Sequence, residues 1–164
     1  MAKSMQADNN VMAQAGWRAS LLKLQSFAVD VCLNGAGLAI GTAKAKVLIA
    51  NTVYALVNGT LVKKTTAEIV LAGTVTADLF NVYVLSINAS GTVAVTMGTE
   101  AATIGAVVFP TVPADSAVIG FVLVNPTGTG NFVGGTTELD DATVVPNAVY
   151  FDTAYPFNQN AMAL

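Results

Sequence analysis

The chain has 164 residues, of which 54% are hydrophobic and only 10% are charged, and its net charge is −3. This length fits one compact domain with an additional arm. The acidic balance argues against a nucleic-acid partner, because such proteins use lysine and arginine to replace the counterions of phosphates.

The shortage of charge also bears on the surface of the protein. An average soluble domain is about one quarter charged, so this chain has too few charges to cover the surface of a monomer in the usual way. Extended apolar surface on a soluble protein usually marks an interface. The composition therefore predicts a homo-oligomer, with a sparsely charged monomer as the alternative.

Residues 1–36 are predicted to form a helical N-terminal arm. They are rich in good helix formers, and Asn34-Gly35 supplies a stop signal. Apolar residues recur at spacings of four and three, which places them on one helical face: Trp17, Leu21, Leu24, Ala28 and Val31. The stripe is shorter than the three or four heptads of a coiled coil, so it can pack on its own domain or on a neighbouring subunit. We predict that it is an assembly interface.

Residues 37–152 are predicted to form an antiparallel β-sandwich or barrel-like domain of seven to nine short strands. Strands and turns replace the helical pattern here, and no strand alternates with a helix. Asn58-Gly59 is typical of a type I′ hairpin turn. The predicted strands lie within residues 46–57, 60–66, 79–88, 92–97, 117–124 and 143–151.

Two of these segments carry further expectations. Residues 117–124 are almost continuously apolar, which is typical of a strand buried on both faces. After the last strand, residues 153–164 contain Pro156, Asn158 and Asn160, and they are predicted to form an extended C-terminal arm.

The residue inventory argues against catalysis. The chain has no histidine, which is the commonest general base and zinc ligand. Glu138, Asp140 and Asp141 are the densest acidic cluster, and they predict either a calcium site or an acidic turn. Cys32 is predicted to be a small buried hydrophobe at the end of the helix. We predict no enzymatic activity, no cofactor and no metal.

No segment is predicted to cross a membrane. The uncharged stretch at residues 79–99 is long enough to do so, but it is interrupted by Asn81, Asn88 and Gly91 and has the alternation of strands. No apolar signal core follows Lys3, so we expect the protein to be used without export.

The order of several turn-forming and apolar segments along the chain resembles the order in a known group of proteins. Turn and core signatures follow one another at residues 51–59, 80–83, 87–91, 109–115, 119–124 and 132–140. This order resembles small virion proteins of tailed bacteriophages, of the head-decoration or fibre type. The resemblance covers about residues 37–152 and does not include the helical arm.

The resemblance implies a β-rich subunit, often a trimer, located on the capsid or in the tail. The first expectation is a capsid decoration protein that stabilises the shell through contacts with sister subunits and the major capsid protein. The alternative is a tail-fibre, head-fibre or baseplate component that binds host-surface glycans through exposed aromatic side chains.

Overall fold

A computed structural model describes Gly16 and residues 30–154, and this part of the chain is mainly β, as predicted. Every pair of neighbouring strands runs antiparallel. A single 3₁₀ turn at Ile104–Ala106 is the only named helix among the described residues. The strands are β1 (Asp30–Cys32), β2 (Leu38–Ile40), β3 (Lys46–Ile49), β4 (Val53–Val57), β5 (Thr60–Lys64), β6 (Ala67–Val70), β7 (Thr74–Val75), β8 (Asn81–Asn88), β9 (Val93–Met97), β10 (Ser116–Val124), β11 (Phe132–Val133) and β12 (Val149–Asp152).

These strands form four antiparallel sheets. The largest has the order β12-β10-β8-β9, two others have the orders β1-β4-β5 and β2-β3-β6, and β11 pairs with β7. β4 contacts both β8 and β10, and β1 contacts β10, so the β1-β4-β5 sheet packs against the largest sheet. The β2-β3-β6 sheet reaches the edge of the largest sheet where β2 contacts β12.

β8 is the most deeply buried strand of the described chain. Its residues from Asn81 to Ile87 are all buried, and β10 and β9 pair with its two edges. A strand covered on both faces is apolar at consecutive rather than alternate positions. The sequence predicted such burial for residues 117–124, but β10 instead alternates between buried and half-buried positions over most of its length.

The core lies between the packed sheets and extends under the loops. Tyr83 and Phe132 meet edge to face, with ring centroids 6.0 Å apart and ring planes at 70°. The other large side chains with almost no exposed surface are aliphatic: Ile49, Leu71, Leu85, Ile87, Ile119, Val47, Val53, Val57, Val75 and Val82. One continuous apolar cluster therefore joins the sheets.

The predicted Asn58-Gly59 turn is confirmed by the backbone. Asn58 and Gly59 have φ angles of 46° and 74°, as a type I′ turn requires at its two central residues. Asp78 and Asp115 also have positive φ, 61° and 55°. Aspartate tolerates this left-handed region better than most residues do, which explains its use in these turns.

A carboxylate joins the two ends of the described domain. The Asp152 oxygens accept hydrogen bonds from the backbone N–H groups of Gly37 and Leu38, each at 2.9 Å. The next residue, Thr153, is buried, and its hydroxyl donates to the Val118 carbonyl at 2.7 Å. The chain therefore remains attached to β10 as far as residue 153.

The predicted helix does not extend to Val31 or Cys32. Asp30–Cys32 is strand β1, which pairs with β4 through Asp30↔Val57, Val31↔Leu56 and Cys32↔Ala55. β-branched Val31 has a weak helix propensity, and the free edge of β4 provides backbone partners that local propensity does not reveal. Residues 1–15, 17–29 and 155–164, which include most of the predicted helical arm and of the predicted C-terminal arm, lie outside the described residues.

The number of strands was also underestimated. Twelve lie within the described residues instead of the predicted seven to nine. Two of them, Thr74–Val75 and Phe132–Val133, have only two residues. Segments this short do not show a period-two pattern that could be recognised in the sequence.

Candidate interaction surface

The β1-β4-β5 sheet presents an apolar face to the outside of the domain. Its register aligns Val31, Leu56 and Leu61 side by side across the three strands. Residues two positions away along a strand share the same face, which adds Leu33 beyond β1 and Tyr54 on β4. We call the outer face the set of Val31, Leu33, Tyr54, Leu56, Leu61 and Lys63.

Much of this outer face is open to solvent. Leu61 is 64% exposed, Leu33 53% and Tyr54 41%. Val31 and Leu56 are half-buried. Lys63, which pairs with Tyr54 across the strands, is the only charged member of the set. Large apolar side chains are thus clustered on a surface with one charge.

The opposite side of the same sheet is part of the core. Cys32, Ala55 and Val62 pair across the strands, and each is buried. The sheet is therefore apolar on both sides, although the described part of the domain covers only one of them. A sheet of this kind is typical of proteins in which a further layer covers the second face.

Only one residue of the predicted assembly stripe is located by the structure. Val31 lies on the outer face, in a strand rather than in a helix. Trp17, Leu21, Leu24 and Ala28 lie outside the described residues. The stripe and the outer face are thus adjacent in the chain and meet at Val31.

The remaining members of the outer face were not predicted from the sequence. A signal for them was present, because residues 53–57 are apolar at every position. Val53, Ala55 and Val57 supply the core, so Tyr54 and Leu56 must face the other way. Continuous apolar character in a strand indicates cover on both faces, and residues 53–57 have this character as residues 117–124 do.

A second apolar group is built from aromatic rings beside β10 and β12. Phe121 and Phe151 are stacked, with centroids 4.7 Å apart and ring planes at 21°, and Phe109 meets Phe121 edge to face at 5.4 Å. Phe151 is 43% exposed, whereas Phe109 and Phe121 are half-buried. Phe151 thus offers an exposed aromatic surface on a different sheet from the outer face.

The acidic cluster at residues 138–141 forms a turn with its own partners. Lys44 Nζ lies 2.8 Å from Asp140 Oδ2 and 4.0 Å from Glu138 Oε2. The hydrogen bond from Lys44 to Asp140 raises the pKa of the lysine. Asp141 Oδ1 accepts hydrogen bonds from the N–H groups of Thr143 and Val144 at 2.8 and 3.0 Å. These contacts favour the acidic turn over the calcium site, and no group of three possible metal ligands occurs among the described residues.

An open cleft of about 430 Å³ lies among the loops that precede β8, follow β10 and precede β12. It contains a single carboxylate, that of Asp78, whose N–H donates to the Pro126 carbonyl at 3.1 Å. The other lining residues are neutral: Phe80, Asn125, Pro126, Thr127, Gly128, Pro146 and Asn147. Asp78 is therefore the one ionisable side chain in the lining of this cleft.

Three side chains, two of them buried and that of Tyr150 half-buried, have raised pKa values. Burial raises the pKa of the Cys32 thiol. The predicted burial of this cysteine is confirmed, although it lies in strand β1 and not at the end of a helix. Burial also raises the pKa values of Tyr83 and Tyr150 to about 12. Neither phenol oxygen has a hydrogen-bond partner among the described residues. These groups belong to the packing of the domain.

Comparison with protein-family models, with curated proteins and with solved structures finds no match to this chain. Among the described residues, no helix is long and apolar enough to cross a membrane.

Proposed function

We propose that this protein is a structural subunit of a bacteriophage particle, specifically a decoration or cement protein on the capsid. The observation that carries this proposal is the outer face of the β1-β4-β5 sheet, where large apolar side chains are exposed beside one charge. Such a face promotes aggregation of a free monomer, whereas in an assembly a neighbouring subunit can cover it.

The physical basis of the proposed role is apolar contact repeated over a lattice. Burial of apolar surface contributes about 25 cal/mol for each Å² removed from water. A weak contact contributes more to the stability of the shell when many identical subunits make it, because each subunit is then held by several neighbours at once. A shell under the pressure of packed DNA would be stabilised by such connections.

The finer features of the proposal come from the sequence. The resemblance of residues 37–152 to phage virion proteins supports a location in the virion, a trimeric assembly and contact with the major capsid protein. Packing of the β1-β4-β5 sheet against the largest sheet supports a β-sandwich as the architecture. The net charge of −3 supports a protein partner rather than DNA or RNA.

Copy number and removal test this proposal. Quantitative mass spectrometry of purified particles should find the protein in hundreds of copies per virion. Particles assembled without it should lose DNA at a lower temperature and on dilution, and adding the purified protein should restore their resistance. Stripped particles that are as resistant as complete ones would contradict the cement role, and absence of the protein from particles would contradict the virion location.

The alternative is a fibre or baseplate component that binds host glycans. Exposed Phe151, stacked on Phe121, favours it, because sugar rings pack on exposed aromatic faces. A copy number of a dozen or fewer, together with glycan binding that is lost in Phe151→Ala but kept in Val149→Ala, would support this alternative over decoration. Val149 is a suitable control because it lies on the same strand and is similarly exposed.

A further inference from the structure

We propose that residues 1–29 of one copy dock on the outer face of a neighbouring copy, so that subunits are linked by an exchanged N-terminal segment. This inference rests on the proposed function, because it requires that the protein assembles. It assigns a receiving surface to the apolar stripe of Trp17, Leu21, Leu24 and Ala28.

The dimensions of the outer face fit one helix. Three strands about 4.8 Å apart make a face about 10 Å wide, and the five residues of β4 give it a length of about 17 Å. A helix is about 10 Å in diameter, and the twelve residues from Trp17 to Ala28 would span about 18 Å. One face of such a helix would cover Val31, Leu56 and Leu61 together.

The same dimensions argue against a globular domain as the occupant. The outer face consists of six residues, whereas each partner in a stable interface contributes about 20–30. Two outer faces in contact would bury too little surface to hold two domains together. An apolar helix tethered to a folded domain requires less area, because the tether raises its effective concentration.

The connection to β1 indicates that the segment reaches another copy. Asp30 is fixed at the start of β1, because it pairs with Val57 and its Oδ1 accepts a hydrogen bond from the Asn58 N–H at 2.9 Å. A helix that includes Ala28 leaves only Val29 before the strand. Connections between a helix and a strand that reverse the chain usually need two to six residues. A connection of one residue is shorter than this range, which favours the sheet of a neighbour over the helix's own sheet as the docking surface.

Two full-length variants test the two sides of this contact. Trp17→Asp should disable the segment, and Leu61→Asp should disable the outer face. Both variants should elute as monomers in size-exclusion chromatography with light scattering, whereas the natural chain should be oligomeric. Ile104→Asp is the matched control, because Ile104 is 59% exposed and lies in the 3₁₀ turn outside the outer face. It should keep the oligomeric mass. Far-ultraviolet circular dichroism should show that all variants retain their β content.

Mixing the two monomeric variants provides the decisive result. The Leu61→Asp chain still has an intact segment, and the Trp17→Asp chain still has an intact outer face, so together they should form a complex of two chains. Neither variant should associate with itself. If Leu61→Asp prevents folding, Leu61→Ser replaces it, because serine changes the outer face less than a charge does. The Leu61→Ser chain should also be monomeric alone and form a complex with the Trp17→Asp chain.

Three results would overturn the inference. An oligomeric Leu61→Asp chain beside a monomeric Trp17→Asp chain would show that the segments bind one another, and the proposed assembly role would stand. A mixture without a complex would show that the segment does not exchange. A monomeric natural chain would contradict both the exchange and the assembly on which it rests.

Discussion

Tyr83 is a buried phenol in β8, and its ring packs on Phe132. Its oxygen has no hydrogen-bond partner among the described residues. A buried polar group without a partner costs about 1–3 kcal/mol. We therefore expect Tyr83→Phe to raise the free energy of unfolding by about 1 kcal/mol. Chemical denaturation measures this change, with exposed Tyr54→Phe as the control that should leave stability unchanged. A loss of stability in Tyr83→Phe would show that the hydroxyl has a favourable contact.

The same tyrosine predicts how stability depends on alkaline pH. Burial raises the pKa of Tyr83 to about 12, and that of Tyr150 as well, whereas an unfolded tyrosine titrates near 10. A group whose pKa is higher in the folded state stabilises the fold below its unfolded pKa. Stability should therefore fall as the pH rises from about 10 to about 12. An alkaline titration followed by tyrosinate absorbance and by far-ultraviolet circular dichroism measures this. The phenols of Tyr83 and Tyr150 should ionise only at the pH at which the β signal is lost. Complete ionisation near pH 10 in a folded protein would contradict the burial of these phenols.

Gly120 lies at the irregularity of β10, where the pairing with β8 shifts between Val118 and Gly120. A Cβ atom at this position would collide with the Leu38 side chain and the Phe151 carbonyl oxygen. Gly120→Ala should reduce the free energy of unfolding by about 1–3 kcal/mol, as overpacking does elsewhere. Gly105→Ala is the control, because a Cβ there meets nothing within 4 Å. Equal stability of the two variants would show that the backbone around Gly120 yields easily.

At the scale of elements, Asp152 connects β12 to the start of β2. Its two oxygens accept hydrogen bonds from the N–H groups of Gly37 and Leu38, and contacts between β2 and β12 join their sheets. Asp152→Ala should lower the free energy of unfolding by about 1–2 kcal/mol, because it leaves both N–H groups without this acceptor. Asp115→Asn should have little effect, because asparagine also tolerates the positive φ of that turn. An Asp152→Ala chain as stable as the natural one would show that water replaces the carboxylate without cost.

Elements defined by local chemistry were predictable from the sequence. The Asn58-Gly59 turn was located correctly, because a type I′ turn demands residues that accept positive φ. The segment predicted before it, residues 46–57, contains two strands, β3 and β4, which lie in different sheets. The strand at residues 79–88 was also found, since its apolar run is long. The β1 strand was not, because Asp30–Cys32 has three residues and becomes a strand only through its pairing with β4. Non-local pairing of this kind leaves no periodic pattern in the sequence.

The candidate surface depended on the same non-local pairing. The sequence indicated a stripe ending at Val31 but not that Val31 would lie beside Leu56 and Leu61. Alignment of side chains across strands is fixed by register, and register follows from the whole sheet rather than from any one segment. Only the continuous apolar character of residues 53–57 signalled a second covered face.

At the scale of the whole molecule, the shortage of charge and the outer face have the same explanation. The composition alone indicated that apolar surface would be exposed on the domain. In the structure, large exposed side chains such as Leu61 and Leu33 lie on or beside the β1-β4-β5 sheet. A subunit of a larger assembly can keep such surface because its neighbours cover it. Assembly remains a prediction, and it is the step on which the proposed virion role depends.

The mass of the natural chain in solution tests this claim most directly. Light scattering at micromolar concentration should give three times the 16.7 kDa mass of one chain, as expected for a trimer whose outer faces are covered. The mass should remain the same at high salt, because apolar contacts are not screened by ions. A mass of 16.7 kDa at every concentration would contradict the account, since the outer face would then be exposed in a stable monomer.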